Sequence, residues 1–228
     1  MDTINEDKNI FFDRQRKSNT LLIAFSGLAT RNSNPIYEFQ NLTANLGVNR
    51  ICVSDPFRCW YHCGVQSEHS DIHSLFDFLK DSTRATTPKK VVTIGASSGG
   101  YAAILFGYLL RVNEIHAIVP QTTLKRTHRL RILDSRWKSD IVRLHKTVHR
   151  NNDNLDLKQV LRRGFASAPI HLYYGRHNRL DRIHARRLES FSNTVLHSYP
   201  HDTHLLARWM KREGYLQQIL RNFTDTES

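Results

Sequence analysis

Lys90-Val91-Val92-Thr93-Ile94-Gly95-Ala96-Ser97-Ser98-Gly99-Gly100-Tyr101-Ala102-Ala103 is the stretch that decides the fold of this chain. A run rich in β-branched residues leads into a serine flanked by glycines, and an alanine- and leucine-rich segment then continues to Leu110 with helical composition. The centre reads G-x-S-x-G, Gly95 to Gly99, between an expected strand and an expected helix, the context that gives those letters meaning. A serine hydroxyl is a poor nucleophile unless it is exposed, held rigidly and deprotonated by a neighbour, and a sharp strand-to-helix turn supplies the exposure. Gly95 and Gly99 remove side chains that would collide where the backbone doubles back, and a helix opening at Ser98 points unpaired N–H groups at the serine. The competing reading is a phosphate-binding glycine loop, but the G-x-G-x-x-G and Walker spacings are both absent. Val91 to Leu110 is uncharged and long enough to cross a bilayer, yet its turn-forming middle marks it as the buried centre of a fold.

Working outward, short apolar runs at Thr20–Phe25 and Arg50–Ser54 read as buried strands, and further strands are expected at Ile115–Val119, Ile170–Tyr174 and Thr194–Tyr199. Between them, helical spacing is expected from Asn34-Pro35 through Ile36, Phe39, Leu42 and Leu46, and over Ser70–Leu79, Leu157–Arg163, Arg182–Phe191 and His204–Phe223. This alternation predicts an α/β fold: one domain over 1–228 with a mostly parallel central sheet of about six strands and helices on both faces. In such sheets the chemistry collects at the carboxyl ends of the strands. No strand is apparent before Thr20.

A nucleophilic serine needs a base, and the base needs an orienting acid. Asp181 follows the run IHLYYG, and His204 follows the last expected strand, giving the chain order Ser97, Asp181, His204. At this point the chain resembles an α/β-hydrolase, from about Leu21 to Leu220, in the order strand-FSG, strand-SDP, VVTIGASSGGYAA, strand-YYG-loop-Asp and strand-loop-His-helix. The resemblance implies Ser97 as nucleophile, Asp181 as acid and His204 as base. It also implies an oxyanion hole from the backbone N–H groups of Ser98 and Leu28, each donor worth about 3 kcal/mol in comparable sites. Ser26 stands where the family often has a histidine in the first loop. His201 is the rival base, Asp134 a substitute acid after the earlier strand, and Asp202 is too near either histidine in sequence to orient it easily. The structural reading of Asp181 is a helix N-cap, and that of Asp55 is a turn former.

Cys59-Trp60-Tyr61-His62-Cys63, with His69 and His73 nearby, has no familiar zinc spacing and reads as packing or substrate wall, so neither metal nor cofactor is expected. Three sparse cysteines fit reduced thiols, and with a polar, non-signal-like N-terminus they point to the cytoplasm. The formal charge of +12 concentrates between Lys125 and Arg150, within an insertion expected at about 121–165, where the resembling family carries its lid. A basic lid suits an anionic or carrier-bound acyl substrate and allows peripheral contact with an anionic membrane. The alternative is an amphipathic helix burying Leu130, Ile132, Leu133, Trp137, Ile141, Val142 and Leu144. Arg176, Arg179, Arg182, Arg186 and Arg187 extend the basic character, but no nucleic-acid-binding motif accompanies it. The expected activity is serine-dependent cleavage of an ester or thioester, with acyl transfer by the same triad or a catalytically silent fold as alternatives.

Overall fold

The computed structural model describes residues 2–7, 9–15, 18–28, 39–148, 152–164 and 168–224. Eight strands form one sheet in the order β1-β2-β4-β3-β5-β6-β7-β8. These are β1 (Asp2–Asp7), β2 (Ile10–Arg14), β3 (Thr20–Phe25), β4 (Asn49–Val53), β5 (Lys90–Ala96), β6 (Glu114–Ile118), β7 (Ile170–Gly175) and β8 (Thr194–Tyr199). From β4 to β8 every pairing is parallel. The expected α/β class therefore holds, with two strands added at one edge.

The added strands are an antiparallel hairpin, with β2 antiparallel to β4 through Ile10↔Val53 to Asp13↔Arg50. Their sequence hides them because an edge strand buries little and carries charge, which blurs the apolar pattern. Asp13 instead forms an ion pair with Arg50, a residue that β4 buries.

The helices are α1 (Gln40–Thr43), α2 (Ile72–Thr86), α3 (Ser98–Leu110), α4 (Arg126–Arg131), α5 (Lys138–Thr147), α6 (Leu157–Leu161), α7 (Arg179–Arg186), α8 (Leu206–Arg212) and α9 (Tyr215–Arg221). The helix expected to open at Asn34 falls largely outside the described residues, and α1 lies within its span. α2 starts where Asp71 and Ser74 form a capping box, each side chain bonding the other's backbone. Helix α3 is buried from Ser98 to Tyr108, the apolar-all-round pattern of a central helix. That accounts for the uncharged run 91–110, and no helix among the described residues is long and apolar enough to cross a membrane. The single helix expected over His204–Phe223 is two, because Gly214 sits at φ 80° between α8 and α9. One apolar core lies under α2, α3 and α6, and a second packs α8 and α9 on the other sheet face.

Chain order and sheet order part company at β3, which has β4 on one side and β5 on the other. That reversal opens a crevice at the carboxyl ends of β3 and β5, where Gly27-Leu28 and Ser97 emerge.

Candidate active site

Ser97 occupies the single residue between β5 and α3 at φ 56°, ψ −117°, outside the regions open to most side chains. Such a conformation costs about 1–3 kcal/mol and persists only where its surroundings over-determine it. Here the Ser97 N–H donates to the Ile118 carbonyl at 2.8 Å, and the Ser97 carbonyl accepts from Tyr101 N–H at 3.1 Å. A Cβ on Gly99 would lie 2.1 Å from the Phe25 carbonyl oxygen, and one on Gly95 would lie 2.1 Å from the Gly99 oxygen. Both glycines are therefore needed for the turn to close onto β3.

Three side chains far apart in sequence meet at this turn. His204 Nε2 lies 2.9 Å from Ser97 Oγ, and His204 Nδ1 lies 2.8 Å from Asp181 Oδ1. Asp181 is 1% exposed, and the His204 side chain is 21% exposed, so the acid is sealed while the imidazole reaches the crevice. Asp181 is not the N-cap that a plain structural role would require. Asn178 caps α7 by accepting from the Asp181 N–H at 3.1 Å, which leaves the Asp181 carboxylate free to face His204.

The rival residues go elsewhere. His201 stacks on Trp209 with ring centroids 5.5 Å apart and bonds Thr203 Oγ1 through Nε2 at 2.9 Å. Asp202 is exposed. Asp134 is buried among Arg129, Arg136 and His184 rather than beside an imidazole of the crevice. Asp55 is the turn former expected, accepting the backbone N–H groups of Cys59 at 2.8 Å and Tyr61 at 3.1 Å. Burial nonetheless pushes its pKa up to about 6 against those bonds.

The crevice has a volume of about 490 Å³, and Leu28, Ser97, Val119, Trp137 and His204 are among its lining residues. Ser98 is the first residue of α3, so its N–H has no intrahelical acceptor and sits at the positive end of the helix dipole. Leu28, the second expected donor, lines the same crevice.

Three contacts were not legible beforehand. Gln121, fully buried just after β6, donates from Nε2 to Ser97 Oγ at 3.1 Å while its Oε1 accepts from Trp60 Nε1 at 2.9 Å. Arg136 places Nη1 2.6 Å from Asp181 Oδ1 and 3.3 Å from His204 Nδ1, and two of its other nitrogens bond Asp134 at 3.0 and 3.1 Å. Trp137 packs edge-on against His204, with ring centroids 4.9 Å apart, beneath the Arg136 guanidinium. The signal for Gln121 was its place at a strand's carboxyl end. Arg136 had none, being one base among many in the charged segment.

That segment is less free than its composition implies. Burial opposes the charge on Asp134, but bonds from His184 and Arg136 and the nearby guanidiniums hold its carboxyl well below the usual range. Burial works against the charge on Arg136, and the carboxylates of Asp134 and Asp181 outweigh it and raise its pKa. Arg58 and Arg143 pair with Asp140, and Arg187 pairs with Asp156. Of the apolar face expected there, Ile132, Ile141 and Leu144 are buried and Trp137 is half-buried, whereas Leu130, Leu133 and Val142 are exposed. Arg150 lies outside the described residues.

Cys59, Cys63, His62, His69 and His73 do not gather as a ligand set among the described residues. His62 bonds Tyr101 at 2.9 Å, Cys63 bonds Thr147 at 3.4 Å, and all three cysteines are free thiols.

A parallel sheet wound to both sides of β3, with a strained serine after β5, an acid after β7 and a histidine after β8, is the α/β-hydrolase fold. Solved structures align with it over nearly their whole length. The capsule O-acetyltransferase of Neisseria meningitidis serogroup A matches at 16% identity over 92% of this chain and 90% of that chain, TM-score 0.65. Est1E from Butyrivibrio proteoclasticus matches at 13% identity over 97% of this chain and 96% of that one, TM-score 0.63. The S-formylglutathione hydrolase of Staphylococcus aureus matches at 14% identity over 90% and 84%, TM-score 0.61. No family model and no curated protein sequence matches the chain.

Proposed function

We propose that this chain is a serine-dependent acyl-transfer enzyme, in the first place a hydrolase of an ester or thioester. The observation that carries the reading is the linear chain of contacts Ser97 Oγ, His204 Nε2, His204 Nδ1, Asp181 Oδ1, with steps of 2.9 and 2.8 Å. Neutral His204 with its proton on Nδ1 accepts the Ser97 hydroxyl proton at Nε2 as Oγ attacks the substrate carbonyl carbon. Asp181 stabilises the resulting imidazolium. The oxyanion lies against the N–H groups of Ser98 and Leu28, which act where charge develops and need no reorganisation. Collapse expels the alcohol or thiol, which takes the proton from His204. Water, activated by the same imidazole, then releases the acid and frees Ser97.

Residues at about 121–165 act in this reading as a lid, with Trp137 as the wall over His204. Arg208 and Lys211 line the crevice and have no acidic partner among the described residues, which fits an anionic or carrier-bound acyl donor. That feature serves equally the second reading, transfer of the acyl group to another alcohol. One of the similar structures is a capsule O-acetyltransferase, and a mutant form of it was solved in complex with CoA. Free thiols at Cys52, Cys59 and Cys63 agree with a reducing compartment such as the cytoplasm.

A fluorophosphonate probe tests the class. Wild-type chain is labelled and Ser97→Ala is not; equal labelling of both, or of neither, overturns the proposal. With the class established, a panel of anionic and neutral esters and thioesters, with and without an added alcohol acceptor, separates the two readings.

A further inference from the structure

We propose that Glu114, His116 and His171 form a binding site for a zinc-class divalent cation, remote from Ser97 and independent of the proposed acyl chemistry. The three lie toward the amino-terminal ends of β6 and β7, opposite the edge from which Ser97 and His204 emerge. Glu114 and His116 alternate along β6 onto one sheet face, and His171 is the residue paired with His116 on β7. Strand geometry alone thus puts two imidazoles and a carboxylate side by side.

The distances suit a metal. His116 Nε2 lies 2.9 Å from Glu114 Oε1 and His171 Nε2 lies 3.5 Å from the same oxygen, with one ligand atom from each residue within 4.8 Å of the others. Zinc bonds of about 2.0–2.2 Å at tetrahedral angles place ligand atoms about 3.3 Å apart. Two edges of the triangle are therefore near their bound length. The third closes when the two rings, now stacked at 13° with centroids 4.8 Å apart, tilt toward each other, since each lone pair lies in its ring plane.

The outer contacts are those that ligand histidines require. His116 Nδ1 lies 2.8 Å from the Tyr173 hydroxyl, and His171 Nδ1 lies 3.0 Å from His197 Nε2. Both partners can accept an N–H, so each histidine can carry its proton on Nδ1 and present Nε2 as a lone pair, the cation then replacing the His116 Nε2–H bond to Glu114. Cation binding then shifts tautomers and releases no proton. Lys90 Nζ is 3.3 Å from Glu114 Oε2, which leaves Oε1 for the metal and makes the carboxylate a one-oxygen ligand. Glu114 and His171 are 22% and 21% exposed, enough for a water to complete the tetrahedron, while Phe223 closes the site against the His116 ring. Two nitrogens, one carboxylate oxygen and a water select zinc, or cobalt as its spectroscopic substitute. Such a site would tie β6 to β7 and stabilise the fold rather than enter the reaction.

The test uses the full chain, free of any polyhistidine tag and stripped with a chelator, titrated with Co²⁺. One equivalent binds with the visible absorption of tetrahedral cobalt, Zn²⁺ displaces it, and Zn²⁺ raises Tm to a saturable limit. Glu114→Gln and His171→Asn abolish the absorption, and His197→Phe weakens binding about 10- to 100-fold. His177→Ala, altering another histidine, leaves it unchanged. Circular dichroism without metal checks that the variants fold, and near-isosteric Glu114→Gln carries the prediction should His171→Asn fail to do so. Absent tetrahedral absorption, or equal binding by the Glu114→Gln/His171→Asn double variant, overturns the site. Fluorophosphonate labelling is unaffected by chelator or by Glu114→Gln, so failure here and failure of the acyl-transfer reading are distinguishable.

Discussion

Ser97, His204 and Asp181 form a consecutive chain of contacts, and Arg136 and Gln121 touch it from the side. In this arrangement Asp181→Asn, which keeps shape but loses charge and favours the wrong imidazole tautomer, lowers kcat about 10⁴-fold. Asp202→Asn, an exposed change, leaves kcat near wild type; both are read by steady-state hydrolysis of a chromogenic ester. Gln121→Leu strands the buried Trp60 N–H and frees the Ser97 hydroxyl, so it costs about 2 kcal/mol in denaturant unfolding. Trp60, which supplies that N–H, lies within the cysteine-flanked motif, whose composition reads as packing or substrate wall. Its role rests on the Gln121 side chain some sixty residues away in sequence, a pairing that spacing cannot reveal.

At the scale of elements, the strand-turn-helix at Ser97 is the part most fully written in the sequence, because its demands are local. Only glycine fits at positions 95 and 99, where β5, α3 and β3 meet backbone to backbone. Gly99→Ala forces a methyl group against the Phe25 carbonyl and destabilises the fold by about 3 kcal/mol, as thermal unfolding measures. The inner parallel strands were legible for a similar reason, β3 and β5 being continuous apolar runs buried on both faces, whereas β8 at the sheet edge is only half-buried. The edge hairpin was not, since β2 is only partly buried. Nor was the break at Gly214, because apolar spacing continues through α8 and α9 while the left-handed glycine redirects the axis. The connection from β6 to β7 was legible as basic and helical but not as paired. Three of its arginines, Arg129, Arg136 and Arg143, pair with the carboxylates of Asp134, Asp181 and Asp140.

The whole molecule buries histidines that folding keeps neutral. Burial drives the pKa of His62 down to about 3 and also lowers that of His184, beside Asp134. The unfolded chain takes up these protons near pH 6.5, so the stability they confer is full above that value and is lost as pH falls below it. Asp55, raised to about 6, works the other way, losing stability as pH rises from about 4 through 6. Three histidine and aspartate sites thus predict a Tm profile that falls on the acid side of pH 6.5, flatter in His62→Gln and steeper in Asp55→Asn. In the proposed chemistry one particular imidazole, that of His204, activates one particular hydroxyl, that of Ser97, across the crevice. Its most direct test is the rate of fluorophosphonate attachment, with the modified residue located by peptide mass spectrometry, in His204→Ala and His201→Ala. The expected result is attachment at Ser97 alone, slowed about 10⁴-fold by loss of His204 and changed by less than about twofold by loss of His201. Attachment elsewhere, or undiminished attachment without His204, would contradict it.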